Sequence, residues 1–241
     1  MALDEALGAA AERSGRPLIR FYGWSRPTVS LGAFQKLDDA RGIADIVPAD
    51  LVRRPSGGGA IVHGSDLTYA LAVPKTHPLG GTAQQLYTAA HTALAAVLAT
   101  HGINARLYDE RPTDEDFFCF SRRAGGDLVV TPSGQEPSAS DPKIMGSAQR
   151  RLAGAVVQHG SLLLRENPGV GPAARHPGVE NLAPRFEPHA LRQLADTWLT
   201  RLAAAMGTDF CWEPGPFMPP PHDGLRTRLA SYSDPRWLAR R

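Results

Sequence analysis

The sequence predicts an α+β fold built on a mixed, mainly antiparallel sheet. Three segments carry apolar residues at helical spacing, and ten shorter segments are apolar or alternating, as strands are. Several of these strands follow one another with no helix between them. A doubly wound parallel sheet needs a helix after nearly every strand, so the pattern excludes that class.

The three predicted helices cover residues 2–13, 82–101 and 189–206. In each of them, apolar side chains recur every three or four positions and therefore lie on one face. A glycine just beyond each pattern provides a C-terminal stop. These glycines are Gly15, Gly102 and Gly207.

The ten predicted strands are short runs bounded mostly by Gly, Pro or Asp. They cover residues 18–22, 28–33, 51–53, 59–63, 67–73, 104–108, 127–130, 143–148, 153–164 and 209–212. Glycine and proline concentrate in residues 131–142, 166–188 and 213–224, which we expect to be loops within one domain.

Composition excludes several classes of protein. The chain has 241 residues and a net charge of +2, from 26 Lys and Arg against 24 Asp and Glu, so it lacks the basic excess of a nucleic-acid-coating protein. No apolar run is long enough for a membrane span. Two cysteines exclude a disulfide scaffold, and the histidine spacing implies no metal. Asp4 and Glu5 stand where a signal peptide is positive, so we expect a cytoplasmic protein.

Residues 53–63, RRPSGGGAIVH, form the most unusual segment. Three consecutive glycines allow the backbone to approach a bulky or anionic group closely. Arg53 or Arg54 could hold a phosphate or a carboxylate there. A flexible hairpin tip with solvated arginines is the alternative. The segment is not a P-loop, because no Gly-Lys-Ser/Thr follows it.

A second unusual feature is a pair of neighbouring strands with polar residues at their centres. These are KIMGSAQRR, residues 143–151, and AVVQHGSLLL, residues 155–164. Polar groups in otherwise apolar strands usually face a ligand or a satisfied hydrogen-bond network. The pattern alone leaves both interpretations open.

Together these motifs resemble those of the lipoate- and biotin-protein ligase superfamily, in particular its lipoate branch. MALDEAL and RFYGWSRPTVSLGAFQ resemble the family's opening helix and first hairpin, and the similarity covers about residues 1–185. It implies one class II synthetase-like catalytic domain over residues 1–241, with helices flanking the sheet and with a C-terminal helix and a Pro-rich tail in 186–241. Family members usually have a strand before the first helix, which implies either a start upstream of Met1 or a sheet one strand short.

The resemblance also points to a nucleophile. One group of octanoyltransferases in the superfamily uses a cysteine in an Ala-Cys-Phe-like segment ahead of the lysine motif, and here Phe118-Cys119-Phe120 precedes Lys143. It implies that Cys119 accepts the acyl group and that Lys143 lies over the acyl carbonyl. We expect Cys119 on a strand, with both rings on the opposite face. A buried, unreactive cysteine is the alternative. Residues 121–127 and the loop at 131–142 depart from that group.

The resemblance implies a substrate pocket around these two residues. Its members would be Arg54, Ser56, Gly57, Gly58, Gly59, His63, Gly146, Ser147, Gln149, Gln158, His159 and Gly160. Leu67, Tyr69, Leu71 and Val156 are expected to add an apolar wall. His159 is the better candidate for proton transfer, and Lys143 or His159 would favour the Cys119 thiolate. Either His63 or His159 could instead be a satisfied core imidazole. Lys143, at the start of a strand, is expected to pack little, and Cys211 to be a packing residue.

Three functions follow from the resemblance. The first is an acyltransferase of lipoate assembly, which moves an octanoyl or lipoyl group from acyl carrier protein through a Cys119 thioester to a lysine of a lipoyl-domain protein. Glycine cleavage H protein and 2-oxoacid dehydrogenase E2 are such acceptors, and this route needs no cofactor. The second is a lipoate-protein ligase, which needs ATP and Mg and forms lipoyl-adenylate. The third is a non-catalytic acyl-binding protein of the same fold. No nucleic acid or membrane partner is expected.

Overall fold

The computed structural model describes residues 1–81, 83–113, 116–182, 191–211 and 224–240. The α-helices in this part of the chain are α1 (Ala2–Ser14), α2 (Leu37–Arg41), α3 (Ala83–Thr100), α4 (Val179–Leu182), α5 (Leu191–Met206), α6 (Leu225–Ser233) and α7 (Pro235–Ala239). The strands are β1 (Leu18–Tyr22), β2 (Thr28–Leu31), β3 (Asp50–Arg53), β4 (Ile61–His63), β5 (Asp66–Pro74), β6 (Ala105–Leu107), β7 (Leu128–Val130), β8 (Lys143–Arg151) and β9 (Ala155–Leu163).

The three predicted helices are confirmed as α1, α3 and α5. Residue 82 of the second prediction and residues 189 and 190 of the third lie outside the described residues, as does most of the Pro-rich stretch. Helices α2, α4, α6 and α7 were not predicted. Helix α4 lies in residues 166–188, which were expected to be a loop, and the single C-terminal helix expected in 186–241 was wrong because α6 and α7 follow α5. No residue of α6 is buried, and α7 is only five residues long, so neither shows a usable apolar period.

A six-stranded sheet forms the centre of the molecule, in the order β1-β5-β9-β8-β7-β6. Every neighbouring pair in it is antiparallel. One face packs against α3 and α5, where Tyr69, Leu71 and Trp198 belong to the largest apolar cluster. On the other face α1 packs against β5 and β9, with Leu7 among Ala70, Ala72 and Val157. The mixed, mainly antiparallel α+β fold is therefore confirmed.

A separate three-stranded sheet has the order β3-β2-β4, with β2 parallel to β3 and antiparallel to β4. The strands thus divide between two sheets, which the sequence pattern did not indicate. The apolar cluster of this small sheet includes Val29, Leu31, Val62 and Phe118, and Leu238 of α7 packs against it. The strand predicted at 209–212 was wrong for residues 209–211, which have no regular structure, and Trp212 lies outside the described residues.

No helix in the described ranges combines the length and the apolar character that crossing a bilayer requires.

Candidate active site

A pocket of about 490 Å³, counted to its open mouth, is lined by residues of both sheets. The large sheet, and the small sheet together with Gly57 and Gly58 of the glycine loop at 57–59, supply most of the lining. The lining consists of Met1, Tyr22, Trp24, Ser30, Arg54, Gly57, Gly58, Ile61, His63, Thr68, Cys119, Gly146, Ser147, Ala148, His159, Gly160 and Ser161.

Cys119 reaches the pocket from a single 3₁₀ turn, Cys119–Ser121, and not from a strand. The backbone N–H of Cys119 donates to the Ala60 carbonyl at 2.8 Å, and the N–H of Ala60 donates to the Phe117 carbonyl at 2.8 Å. These two bonds hold the turn beside the glycine loop. The expected strand was wrong, because alternation over three residues cannot distinguish a strand from a tight turn whose flanking rings are both buried.

Lys143 lies next to the Cys119 sulfur. Its Nζ is 3.5 Å from Sγ and 3.2 Å from the carbonyl oxygen of Cys119. The same ammonium forms a buried ion pair with Asp127 Oδ2 at 2.7 Å. Asp127 also accepts hydrogen bonds from the Tyr87 hydroxyl and the Ala124 N–H. The expectation that Lys143 packs little was wrong, since only 4 % of it is exposed.

Asp127 is a candidate site residue that no sequence pattern indicated. It lies in a glycine-rich segment with no motif of its own, and it meets Lys143 only through the pairing of β7 with β8, which shifts register between Leu128 and Val129. Gly146 leaves the space that the Lys143 side chain occupies, because a Cβ there would lie 2.7 Å from Lys143 Cε and 2.9 Å from its Nζ.

The two arginines of the glycine motif bind backbone carbonyls. Arg54 donates from Nη1 to Ser30 O at 2.7 Å and from Nη2 to Gly59 O at 2.7 Å. Arg53 donates from Nη1 to Gly32 O at 2.7 Å. Burial lowers the pKa of Arg54 to about 10, which leaves it charged at neutral pH. Both side chains therefore hold the shape of the loop, and Arg54 also lines the pocket.

His159 lines the pocket and contacts Ser56, with 2.5 Å between Nε2 and Oγ. Burial lowers the pKa of His159 to about 4. The imidazole is therefore neutral near pH 7, and the idea that His159 supplies a cation for Cys119 was wrong. Ser56 supports this ring from behind without lining the pocket.

His63 belongs to a buried hydrogen-bonded group at another part of the pocket. Its Nδ1 is 2.8 Å from Asp66 Oδ2, and its Nε2 is 2.8 Å from Ser30 Oγ. Burial opposes ionisation of Asp66, but His63, Thr68 and Ser161 outweigh it and lower the pKa of that carboxyl. Asp66, His63 and Ser30 are hydrogen-bonded in the sequence carboxylate–histidine–serine, as in a serine triad. Ser30 has no exposed surface, however, so these three residues form a rigid part of the pocket wall.

Gln149 and Gln158 are not brought into the pocket lining. Gln149 Nε2 donates to Gln158 Oε1 at 2.6 Å, and Gln158 Nε2 donates to the Tyr69 hydroxyl at 2.6 Å. The Tyr69 hydroxyl contacts Ser147 Oγ at 2.7 Å, so a polar network runs through the sheet to the pocket. This network was one of the two interpretations that the pattern left open.

The predicted apolar wall was wrong. Leu67, Tyr69, Leu71 and Val156 belong to the core with α3 and α5 and do not line the pocket. Successive side chains of a strand face opposite sides of the sheet, so the pocket receives Thr68 instead. Gly59 also stays outside the lining but lies against Cys119, because a Cβ there would be 2.9 Å from the Cys119 nitrogen.

Within the described ranges, no three His, Cys, Asp or Glu side chains come close enough to hold a metal ion. Cys119 is half-buried and Cys211 is exposed, and both are free thiols. The expectation that Cys211 is a packing residue was therefore wrong.

Comparison with known proteins shows the family to which the chain belongs. Residues 1–170 match the family model described as the lipoyl protein ligase A/B catalytic domain. The octanoyltransferase LipM of Kyrpidia tusciae is 30% identical over 100% of this chain and 94% of its own length. That of Carboxydothermus hydrogenoformans is 35% identical over 68% of this chain, and the alignment spans 60% of its length.

Solved structures with the same fold include a lipoate-protein ligase A bound with ATP, with a TM-score of 0.67 and 18% identity over 99% of this chain and 93% of that one. A bi-partite lipoate protein ligase from Thermoplasma acidophilum, described with its E2 lipoyl domain, has a TM-score of 0.65 and 19% identity, covering 99% of this chain and 91% of that one. At these identities the likeness shows the fold alone.

Proposed function

Because this chain belongs to the lipoyl protein ligase A/B catalytic domain family, we propose that it is an acyltransferase of lipoate assembly. It would take an octanoyl group from a carrier-protein thioester, hold it on Cys119 and pass it to a lysine of a lipoyl-domain protein. The relatives named octanoyltransferase support this reaction. The bi-partite ligase from Thermoplasma acidophilum is described together with its own E2 lipoyl domain, which supports an acceptor of this kind.

The observation that carries the proposal is the 3.5 Å contact between Lys143 Nζ and the Sγ of Cys119. Cys119 lines the pocket, and Lys143 lies beside it outside the lining. The thiolate is the nucleophilic form of cysteine, and the Lys143 ammonium lies beside the sulfur that would carry its charge. The thiolate attacks the thioester carbonyl, a new C–S bond forms, and the carrier leaves as a thiolate that takes up a proton. One thioester replaces another, so this step needs no ATP.

In the second step the neutral amine of the acceptor lysine attacks the Cys119 thioester. A C–N bond forms, the C–S bond breaks, and the amine proton passes to solvent as the Cys119 thiolate is restored. Both tetrahedral intermediates carry an oxyanion beside Lys143. Asp127 holds the ammonium in place for both steps through its 2.7 Å contact.

This route requires no cofactor, whereas a ligase reaction would require ATP and Mg. Acyl carrier protein is the donor that we propose. Because free thiols persist in reducing compartments, we expect the protein to act in the cytoplasm.

Intact mass of the protein after incubation with octanoyl-acyl carrier protein, in the absence of ATP, tests the proposal. We expect a mass increase of one octanoyl group, removed by hydroxylamine and absent from Cys119→Ser, because a serine hydroxyl stays protonated without a strong base. Cys211→Ser is the matched control, since Cys211 is the other free cysteine and does not line the pocket. It should acylate at the normal rate.

Two results would contradict this assignment. Transfer that requires ATP and free lipoate, and that survives in Cys119→Ser, would make the protein a ligase. Binding of octanoate without any transfer, with or without ATP, would make it a non-catalytic acyl-binding protein.

A further inference from the structure

We propose that Phe34 and Arg122, which both lie against the glycine loop at 57–59, form the docking surface for the acceptor protein, with Arg122 binding an acidic side chain near the acceptor lysine. This inference rests on the proposed function, because it takes the acyl group to be held on Cys119. It deepens that function by naming the surface that recognises the second substrate. Arg122 lies in residues 121–127, where the sequence departs from the cysteine-dependent octanoyltransferases, so the resemblance did not indicate it.

Arg122 is the first part of this surface. Its side chain is half-buried, yet its guanidinium has no hydrogen-bond or ion-pair partner within the part of the chain that the structure describes. The next residue, Arg123, instead donates to the carbonyls of Asp141 and Phe120. A guanidinium matches a carboxylate with two parallel hydrogen bonds, so an anion from outside the chain would satisfy Arg122.

The Arg122 charge lies at the edge of the active site. Its Nη2 and the backbone nitrogen of Cys119 are both within 3.0 Å of one point, the position of a Cβ on Gly59. Arg122 does not line the acyl pocket, so it lies outside the space for the acyl chain. Burial lowers the pKa of Arg54 to about 10, and the charge of Arg122 contributes to this shift. An anion bound to Arg122 would offset the repulsion between the two arginines.

Phe34 adds an apolar contact on the same loop. Its side chain is 82% exposed, more than any other large apolar side chain in the described residues. A Cβ on Gly57 would lie 3.5 Å from its ring, and the Gln35 Nε2 donates to the Phe117 carbonyl at 2.9 Å. The ring and the guanidinium therefore lie against loop positions two residues apart, beside the turn that carries Cys119. Aromatic and arginine side chains are the types enriched where proteins bind one another.

The reach of a lysine side chain identifies the partner as the acceptor. An amine that attacks the Cys119 thioester is about 6 Å from its own Cα, and the adjacent Cα atoms are about 3.8 Å further along the acceptor chain. A carboxylate beside the acceptor lysine therefore comes within reach of Arg122. The amine must be neutral to attack, and the charges of Lys143 and Arg122 disfavour its protonation. The carboxylate supplies the attraction that brings the acceptor to this positive site.

A competition between two acceptors tests the inference. One is an E2 lipoyl domain with an aspartate or glutamate beside its acceptor lysine, and the other has arginine at that acidic position. Equal amounts of both are offered to purified octanoyl-enzyme, and the octanoylated domains are counted by mass. The wild type should favour the acidic domain by roughly tenfold, as expected for a close charge pair at an interface. Arg122→Gln should lose this preference, and Arg122→Glu should reverse it.

Two matched variants serve as controls. Arg201→Glu makes the same change of charge on the exposed side of α5 and should keep the preference of the wild type. Phe34→Ala should raise the KM for both domains severalfold without changing their ratio, because the ring carries no charge. Val47→Ala shortens another exposed apolar side chain and should leave the KM unchanged. A Phe34→Ala protein with the KM of the wild type would exclude the ring from the docking surface.

Binding of the two unmodified domains, measured by calorimetry, separates this inference from the proposed function. If octanoyl-enzyme forms but Arg122→Glu keeps the preference of the wild type, the docking surface is wrong and the transferase stands. An unchanged preference with slower acylation of Cys119 would assign the anion to the donor instead. If no octanoyl-enzyme forms while the domains still bind with the predicted difference, the transferase is wrong and the docking surface stands. Binding of neither domain would overturn the docking surface.

Discussion

The buried pairing of Lys143 with Asp127 gives Lys143 two separable effects. Lys143→Ala removes the ammonium beside the oxyanion, which should slow acylation by about 10²–10³-fold. It also leaves the Asp127 carboxylate buried without its partner, which should lower the free energy of unfolding by about 3–5 kcal/mol. Single-turnover acylation and urea denaturation measure the two effects separately.

The double variant Lys143→Ala/Asp127→Ala is the control for this prediction. Removing both charges should restore part of the stability and none of the rate. A double variant that acylates at the normal rate would show that the ammonium does not stabilise the transition state.

At the scale of elements, the glycine loop and the Cys119 turn form one unit. A Cβ on Gly59 would lie 2.9 Å from the Cys119 nitrogen and 3.0 Å from the Phe117 carbonyl, so Gly59→Ala should push the turn away from Lys143. We expect a loss of about 1–3 kcal/mol in unfolding free energy from this overpacking, with slower acylation of Cys119.

Gly57→Ala is the matched substitution, because its Cβ would only touch the Phe34 ring at 3.5 Å. Its unfolding free energy should stay within about 0.5 kcal/mol of the wild type. Gly58 is a poorer test of the pocket wall, since its φ of +95° strains any side chain, whatever the space. Equal stability of the Gly57 and Gly59 variants would contradict the close packing of loop and turn.

Local sequence patterns predicted the helices and strands well, but they predicted poorly which parts of the chain contact one another. The period of α3 and the apolar runs of β5 and β9 are properties of consecutive residues, so the sequence displays them. The contacts of Lys143 with Asp127, and of Trp24 with Thr68, depend on which strands pair and in what register. The pairing of Cys119 with Lys143 was anticipated only through family resemblance, because no local rule links a 3₁₀ turn to a strand 24 residues later.

For the whole molecule, buried histidines predict how stability depends on pH. Burial lowers the pKa of His91, His159 and His176 from 6.5 to about 4 in each case. Between these values the unfolded chain binds protons that the folded protein does not, so the free energy of unfolding should fall as the pH falls from about 6.5 to about 4. The slope is up to about 1.4 kcal/mol per pH unit for each histidine.

Urea denaturation at about pH 7.5, 6 and 5 measures this slope. His91→Gln should flatten it, because one titrating ring is removed from the interior while a polar group remains for Gly126 and Ser147. A stability that stays constant over this range would contradict the burial of neutral imidazoles.

The pocket is built from contacts between distant parts of the chain. Gln35 donates to the Phe117 carbonyl across 82 residues, Ser56 meets His159 across 103, and Arg53 donates to the Leu238 carbonyl across 185. Closing such long loops costs entropy, so these contacts are expected late in folding. A partly folded chain would then carry the Cys119 thiol without the Lys143 ammonium beside it. Thioester formation on Cys119 would therefore begin only when these late contacts have formed. Its onset during refolding would report the time at which folding is completed.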